Sequence, residues 1–440
     1  MSFFDNSTGI WTGVSLMGEP GYCSGKINEI FISDRDKNIL IKLAEEVANL
    51  ASKKSEEEKR KLWYAHNDLK TKFPVILCDP ENGWNEIITG DSIACKSDLA
   101  RRWEYVLRKK IFYGKELMDD TPIERVFDIA YTATDSEWGA REEYKGGKDG
   151  GSYVWDSPIK NEKDIFKIKV PVITIDHETT LKTIELAQEI FKDLLEVRLV
   201  GIWWWSFGMS LDLIRLIGFE KMLIYMCDKP DFIHKIMRKF TDGYMAKLDY
   251  LEKNNLLILN NDAIYIGTGG LGYTKDLPVK GRTGSTVKTM DLWGNTESQE
   301  TVGVSAEMFE EFIFKYQLEI QKRFGLNCYG CCEPLEKRWK IIKNVPNLRR
   351  VSVSAWADRK KMADFLEDKY IYSWKPRPTD LAISKMDRDR VRNYIRETLE
   401  VTKGCILEIV MKDNHTIGKN PKNVTDWVKI AREEVTRIYS

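Results

Sequence analysis

The apolar positions of this chain change their period several times, and each change marks an element. Over residues 36–66 the text NILIKLAEEVANL has helical spacing, and the following SKKSEEEKRK supplies a solvated charged face. The run PVILC at 74–78 reads as a strand that opens into the turn-rich DPENGW. Ser97 is placed to cap a helix running through LARRWEYVLRKKIF. From about 119 to 170 the periodicity fails and the text includes KGGKDGGS, which predicts a long irregular excursion. Helical spacing returns in HETTLKTIELAQEIFKDL, with Leu181, Ile184, Ile190 and Leu194 on one face.

Beyond that helix, strands and helices alternate. Strand-like runs lie at 199–205, 256–261, 326–330, 350–356, 370–374 and 405–411. Helical text fills the gaps, and the last helix opens at Asn420-Pro421, with Val424, Val428, Ala431, Val435 and Ile438 on its apolar face. Alternation of this kind implies a parallel sheet, and eight such strands close into a barrel. The expected fold is therefore α/β, a (β/α)8 TIM-like barrel over residues 71–440, with an N-terminal helical extension at 1–70.

Composition narrows the function. The 440 residues carry 68 Lys+Arg against 68 Asp+Glu, so the basic excess of a nucleic-acid binder or a membrane-surface protein is missing. No stretch approaches the roughly 18 uninterrupted apolar residues of a membrane span. The start MSFFDNSTGIWTG lacks the basic segment and long apolar run of a secretory signal, so a cytoplasmic protein is expected. Eight cysteines are too few for a disulfide scaffold, and Cys328, Cys331 and Cys332 crowd together, which in a reducing compartment points to metal binding or catalysis.

In a strand-helix barrel the chemistry sits where strands end. One such end reads Asn327-Cys328-Tyr329-Gly330-Cys331-Cys332-Glu333-Pro334, and thiolates with a carboxylate suit zinc, whose catalytic sites use three protein ligands and an open position. The last strand end, Met411-Lys412-Asp413-Asn414-His415-Thr416, carries one of only four histidines and can approach the first in space. Cys331, Cys332 and His415 are thus the candidate metal ligands. Asp262, after the 256–261 run, is a candidate acid or substrate anchor, and Glu333 is a second catalytic carboxylate or a further ligand. Trp204, Trp205, Asn261, Trp356, Trp374 and Lys375 stand at strand ends as candidate pocket residues. Asp358 reads as a helix N-cap, and His66, His177 and His234 read as structural. Gly269-Gly270-Leu271-Gly272 lacks the Lys-Ser/Thr pair of a phosphate loop.

The text GIWWWSFGMSLDLIRLIGFEKMLIYMCDKPDFIHKIM, then VSAEMFEEFIFKYQLEI and the strand carrying YGCCE, resembles the uroporphyrinogen decarboxylase superfamily over roughly residues 195 to 435. The resemblance implies a strand-helix barrel and one of two chemistries. True uroporphyrinogen decarboxylases use no cofactor and grip their acidic substrate with an arginine-rich motif near the N-terminus, where this chain reads PVILCDPENGW. The cobalamin-dependent methyltransferases of the other branch bind zinc through a His-x-Cys pair and a Cys at the last strand end. Here Tyr329-Gly330-Cys331 stands in place of the pair and His415 in place of the last Cys. The resemblance thus implies a zinc-dependent methyltransferase that moves a methyl group between a small methylated substrate and a corrinoid (cobalamin) supplied by a partner protein. It leaves the methyl donor, the acceptor and the choice between monomer and homodimer open. The alternatives are a cofactor-independent decarboxylase of an acidic substrate, with Asp262 stabilising a protonated intermediate, and a non-catalytic barrel that binds a corrinoid or metabolite.

Overall fold

The computed structural model describes residues 29–146, 153–201, 206–280 and 284–439. Two helices, Asp34–Ala51 and Lys54–Asn67, precede strand β1 (Val75–Cys78). Then come β2 (Val126–Ala130), β3 (Ala133–Asp135), β4 (Glu143–Gly146), β5 (Tyr153–Asp156), β6 (Ile173–Ile175) and β7 (Glu196–Val200). After the helices Ser210–Ile217, Phe219–Asp228 and Pro230–Lys253 follow β8 (Trp293–Thr296), β9 (Leu326–Tyr329), β10 (Leu348–Val353), β11 (Ile371–Trp374) and β12 (Ile406–Met411). The described chain ends in the helix Lys422–Tyr439.

Six strands form one all-parallel sheet in the order β1-β12-β11-β10-β9-β8, and β2 pairs with β7 in a separate parallel ladder. The sequence pattern explains the parallel pairing. Strands buried on both faces read as continuous apolar runs, and all six residues of ILEIVM in β12 are buried. Helices cover the outer face. Arg388–Val401 and Lys422–Tyr439 are fastened by Glu434, which pairs with Arg392, Arg396 and Arg437.

The inner face is occupied by a hairpin rather than left open. Tyr265 and Leu271 pair as an antiparallel bridge, and Ile266 donates its N–H to the Gly270 carbonyl at 3.0 Å. The turn touches five successive strands: Gly267 abuts Asn295 of β8, Thr268 donates to the Gly330 carbonyl at the end of β9, and Gly270 abuts Arg350 of β10. Gly269 lies against Lys375, just past β11, and Val410 of β12. Strands about 4.8 Å apart put the outer two of five roughly 19 Å from each other, so the sheet must curve around the turn to reach it. The glycines are required by that approach, since a Cβ on Gly270 would stand 2.6 Å from the Arg350 Cζ, at a φ of +90°.

Two expectations differ from the structure. The segment read as an irregular excursion contains β2, a strand of the parallel set, and the short antiparallel pairs β3-β6 and β4-β5. Its charged Asp128 hid the strand, and in the structure Arg198 of β7 neutralises that charge. Residues 256–261 are extended but form no ladder. The amide of Asn260 takes the place of a neighbouring strand, accepting from the Trp293 N–H at 2.9 Å and donating to its carbonyl at 3.1 Å. The helix Lys54–Asn67 ends with His66 and Asn67 fully buried against the sheet. Among the described residues no helix is long and apolar enough to cross a membrane.

Candidate functional site

The ends of β9 and β12 bring a thiol pair to a carboxylate and an ammonium. Gly330 takes a φ of +97°, which turns the chain out of β9. The Glu333 carboxylate then accepts from the N–H groups of Cys331 and Ser298, each at 2.9 Å, and locks the turn. This presents the Cys331 and Cys332 sulfurs 3.5 Å apart, and the Cys332 thiol points at Asp413 Oδ2 across 3.7 Å. Lys412 Nζ lies 2.5 Å from the other Asp413 oxygen and 3.5 Å from Glu81, just past β1.

These charges tune one another. The Cys332 contact and burial push the Cys331 thiol well up, with Lys412 pulling the other way. Burial pushes the Glu81 carboxyl up to about 8 against the pull of Lys412. Burial also opposes the Lys412 charge, but Glu81 and Asp413 outweigh it and hold the ammonium well above its ordinary range. Asp413, the closer of the two, keeps its negative charge because Lys412 more than offsets its burial. Behind the thiols burial raises Glu297, Glu300 and Glu333, and the charge of Glu333 adds to the rise at Glu297 and Glu300.

A second polar network supports this corner from beneath. Glu408 of β12 is fully buried and meets His66 Nε2 at 3.1 Å and Arg350 Nε at 3.0 Å, and it accepts from the Ser373 hydroxyl. Burial would raise its carboxyl, yet Arg350 and His66 prevail and hold it down at about 2. Lys375 donates to the Ser373 hydroxyl, and burial lowers its ammonium to about 8 despite Glu408.

Beside the corner lies a cavity of about 450 Å³, between β1, β2, β7, the central hairpin and β8. Tyr265 of its wall is a charge neighbour of Lys412 and Asp79 of its wall one of Glu81, so the cavity adjoins the strand-end cluster. Arg198 crosses another part of the wall, bonded to both oxygens of Asp128 at 2.7 and 3.1 Å and to Asp262.

The sequence-derived candidates separate against this geometry. Cys331, Cys332 and Glu333 are together. His415 is not with them: it is exposed, with Nδ1 3.5 Å from Asn82, because Glu86 accepts from Thr416, Ile417 and Lys419 and holds the loop outward. Asp413 takes the place expected of His415. Asp262 reaches the cavity but is committed to Arg198. Asn261 donates to the Leu277 carbonyl at 2.8 Å and is a backbone brace. Trp374 is 0% exposed and packs edge-on to Tyr394 in the core, whereas Trp356 is 76% exposed. Lys375 lies inside the sheet beneath the hairpin. Trp204 and Trp205 fall outside the described residues. His66, read as structural, is the buried partner of Glu408. Arg198, Asp128, Arg350 and Glu408 were missed although a signal was present: a single charge inside an apolar strand must be paired.

The donor set bears on zinc. Zn–S bonds of about 2.3 Å and Zn–O bonds of about 2.0 Å set tetrahedral donors about 3.5 to 3.8 Å apart. The Cys331–Cys332 separation is about 0.3 Å short of an S–S edge, and the Cys332–Asp413 separation about 0.2 Å longer than an S–O edge. The edges meet only at Cys332, and among the described residues no three His, Cys, Asp or Glu side chains are already grouped as a metal-holding set.

No protein-family model matches this chain, and no curated protein matches it. Among solved structures, a methyltransferase from Methanosarcina mazei aligns over 87% of this chain and 98% of its own, with a TM-score of 0.48 and 12% identity. A likeness that loose carries neither fold nor activity across.

Proposed function

We propose that this chain is a methyltransferase whose reacting groups stand at the strand ends around Cys331 and Cys332. In this reading β2 and β7 lie between the free edges of β1 and β8 and complete an eight-stranded barrel. A small methylated substrate occupies the cavity, and the methyl group is exchanged with a corrinoid carried by a separate protein. The observation that carries the reading is the thiol pair, 3.5 Å apart, adjoining a roomy cavity and flanked by Asp413 and Lys412.

The chain's own groups have definable work. Thiolate sulfur is a soft nucleophile and a metal ligand, whereas the thiol is neither. Lys412 supplies the positive field that favours thiolate, and Asp413 accepts from the Cys332 thiol and orients it. Glu333 fixes the turn that aims both sulfurs. Glu81 lies 3.5 Å from Lys412 Nζ and shares that ammonium with Asp413. In this reading Cys331, Cys332 and Asp413 are the residues that would hold zinc. When bound it would supply Lewis-acid polarisation and hold the thiols deprotonated.

The decarboxylase alternative gives Asp262 a protonated intermediate to stabilise, and that carboxylate is already committed to Arg198.

The test is anaerobic incubation of zinc-supplemented protein with methylcobalamin in place of the partner's corrinoid, offering thiol, amine and phenol acceptors in turn. Loss of the methyl–cobalt absorbance with stoichiometric appearance of a methylated acceptor supports the proposal. No transfer to any acceptor contradicts it.

A further inference from the structure

The cavity wall shows what kind of small molecule it accepts. Its volume of about 450 Å³ lies within the roughly 300 to 1,000 Å³ of small-molecule sites. Most of the wall is aliphatic or aromatic, including Ile264, Ile266 and Trp293. The charges on it are largely spent. Arg60 pairs with Glu124 at 3.2 Å, Arg198 is bound by Asp128 and Asp262, and Glu196 is exposed to water. Asp79 accepts from the Trp84 indole and the Glu81 N–H through one oxygen.

Two groups stand apart. Lys110 lines the cavity, and among the described residues its only hydrogen bond is to the Val126 carbonyl, with no carboxylate at ion-pair distance. An ammonium has three donors, so two are left for a ligand. Tyr265 is also on the wall, and its hydroxyl is buried with no hydrogen-bond partner among the described residues. An unmade bond at a buried polar atom is costly, and a ligand atom would complete it.

We propose that the cavity binds a small, largely apolar mono-anion, with its carboxylate on Lys110 and a neutral acceptor atom on the Tyr265 hydroxyl. A cationic ligand would leave the Lys110 ammonium without a counter-charge, and a fully apolar one would leave both polar groups unmet. The inference rests on the wall alone and does not depend on methyl transfer, so the two fail separately.

The experiment is calorimetric titration of the full chain with 4-acetylbenzoate, which carries a carboxylate and a carbonyl acceptor at opposite ends of a ring. The neutral 4-acetylbenzamide and the cationic (4-acetylphenyl)trimethylammonium are the comparisons. The carboxylate should bind at least about tenfold more tightly than either, as expected for a charge-assisted bond in an apolar wall. Lys110→Met should bring it down to the level of the amide, and Lys110→Arg should retain most of the preference. Tyr265→Phe should weaken 4-acetylbenzoate about fivefold and leave 4-ethylbenzoate unchanged, as expected for one hydrogen bond. Binding of the cation or the amide as tight as that of the carboxylate would overturn the proposal, as would an unchanged preference in folded Lys110→Met or no binding of any of the three.

Discussion

The Cys332 thiol points at the Asp413 carboxylate, 3.7 Å away, while His415 two residues on turns out to Asn82. The reversal comes from local backbone. Asp413 takes a φ of +61°, and Glu86 holds the next residues through three bonds, so the chain leaves β12 with Asp413 inward and His415 outward. The thiol corner is thus a sulfur and carboxylate centre with Lys412 as its counter-charge.

Glu408 governs acid stability. Its carboxyl ordinarily titrates near 4.5 and in the fold lies at about 2, so its stabilisation is present above pH 4.5 and is lost as pH falls toward 2. His66 acts in the same direction at higher pH, because burial lowers its pKa and the unfolded chain takes up the proton first, below about 6.5. Glu408→Gln should cost about 3 to 5 kcal/mol at pH 7 by stranding the buried Arg350 charge, and it should flatten the loss of stability between pH 4.5 and 2. Urea unfolding at a series of pH values measures both. An acid limb unchanged in the variant would refute the assignment.

Lys375 should show the opposite balance. Its charge is buried at a cost, with a pKa of about 8 against an ordinary 10.5, so the wild type should gain stability as pH rises from 8 to 10.5. Lys375→Met removes that cost and should raise stability at pH 7 by about 1 to 2 kcal/mol, the remainder being offset by the lost hydrogen bond to Ser373. Denaturation at pH 7 and pH 10 checks it, since the advantage of the variant must shrink at the higher pH.

The central hairpin is a packed part of the sheet interior. Gly270 and Gly284 both have positive φ, but a Cβ on Gly270 meets Arg350 at 2.6 Å, whereas one on Gly284 meets nothing within 4 Å. Gly284→Ala should cost about 1 kcal/mol from backbone strain alone, and Gly270→Ala about 3 kcal/mol or more from strain and overpacking together. Equal costs in thermal unfolding would place the hairpin outside the sheet.

The parallel sheet was legible because apolar strands alternate with amphipathic helices, and VILC and ILEIVM announce burial on both faces. The thiol corner was legible in Cys331 and Cys332 because three cysteines crowd one strand end. What escaped has a common cause. β2 carries Asp128, β7 carries Arg198, β10 carries Arg350 and β12 carries Glu408, and a charge inside a strand shows its partner only once the strands are placed side by side. Strand-end position could not separate Trp374 in the core from Trp356 in solvent, since one residue of register decides which way a side chain faces. His415 was chosen for its chemistry, and the turn that rejects it depends on Glu86, far away in the chain.

The most direct test of the Cys331, Cys332 and Asp413 centre is zinc stoichiometry with X-ray absorption, on protein purified anaerobically with zinc. The account predicts about one zinc per chain with two sulfur ligands and the rest oxygen, retained in His415→Ala and lost or strongly weakened in Cys332→Ala and Asp413→Asn. Zinc that survives both of those substitutions but leaves with His415→Ala, or a wild type that takes up none, would contradict it.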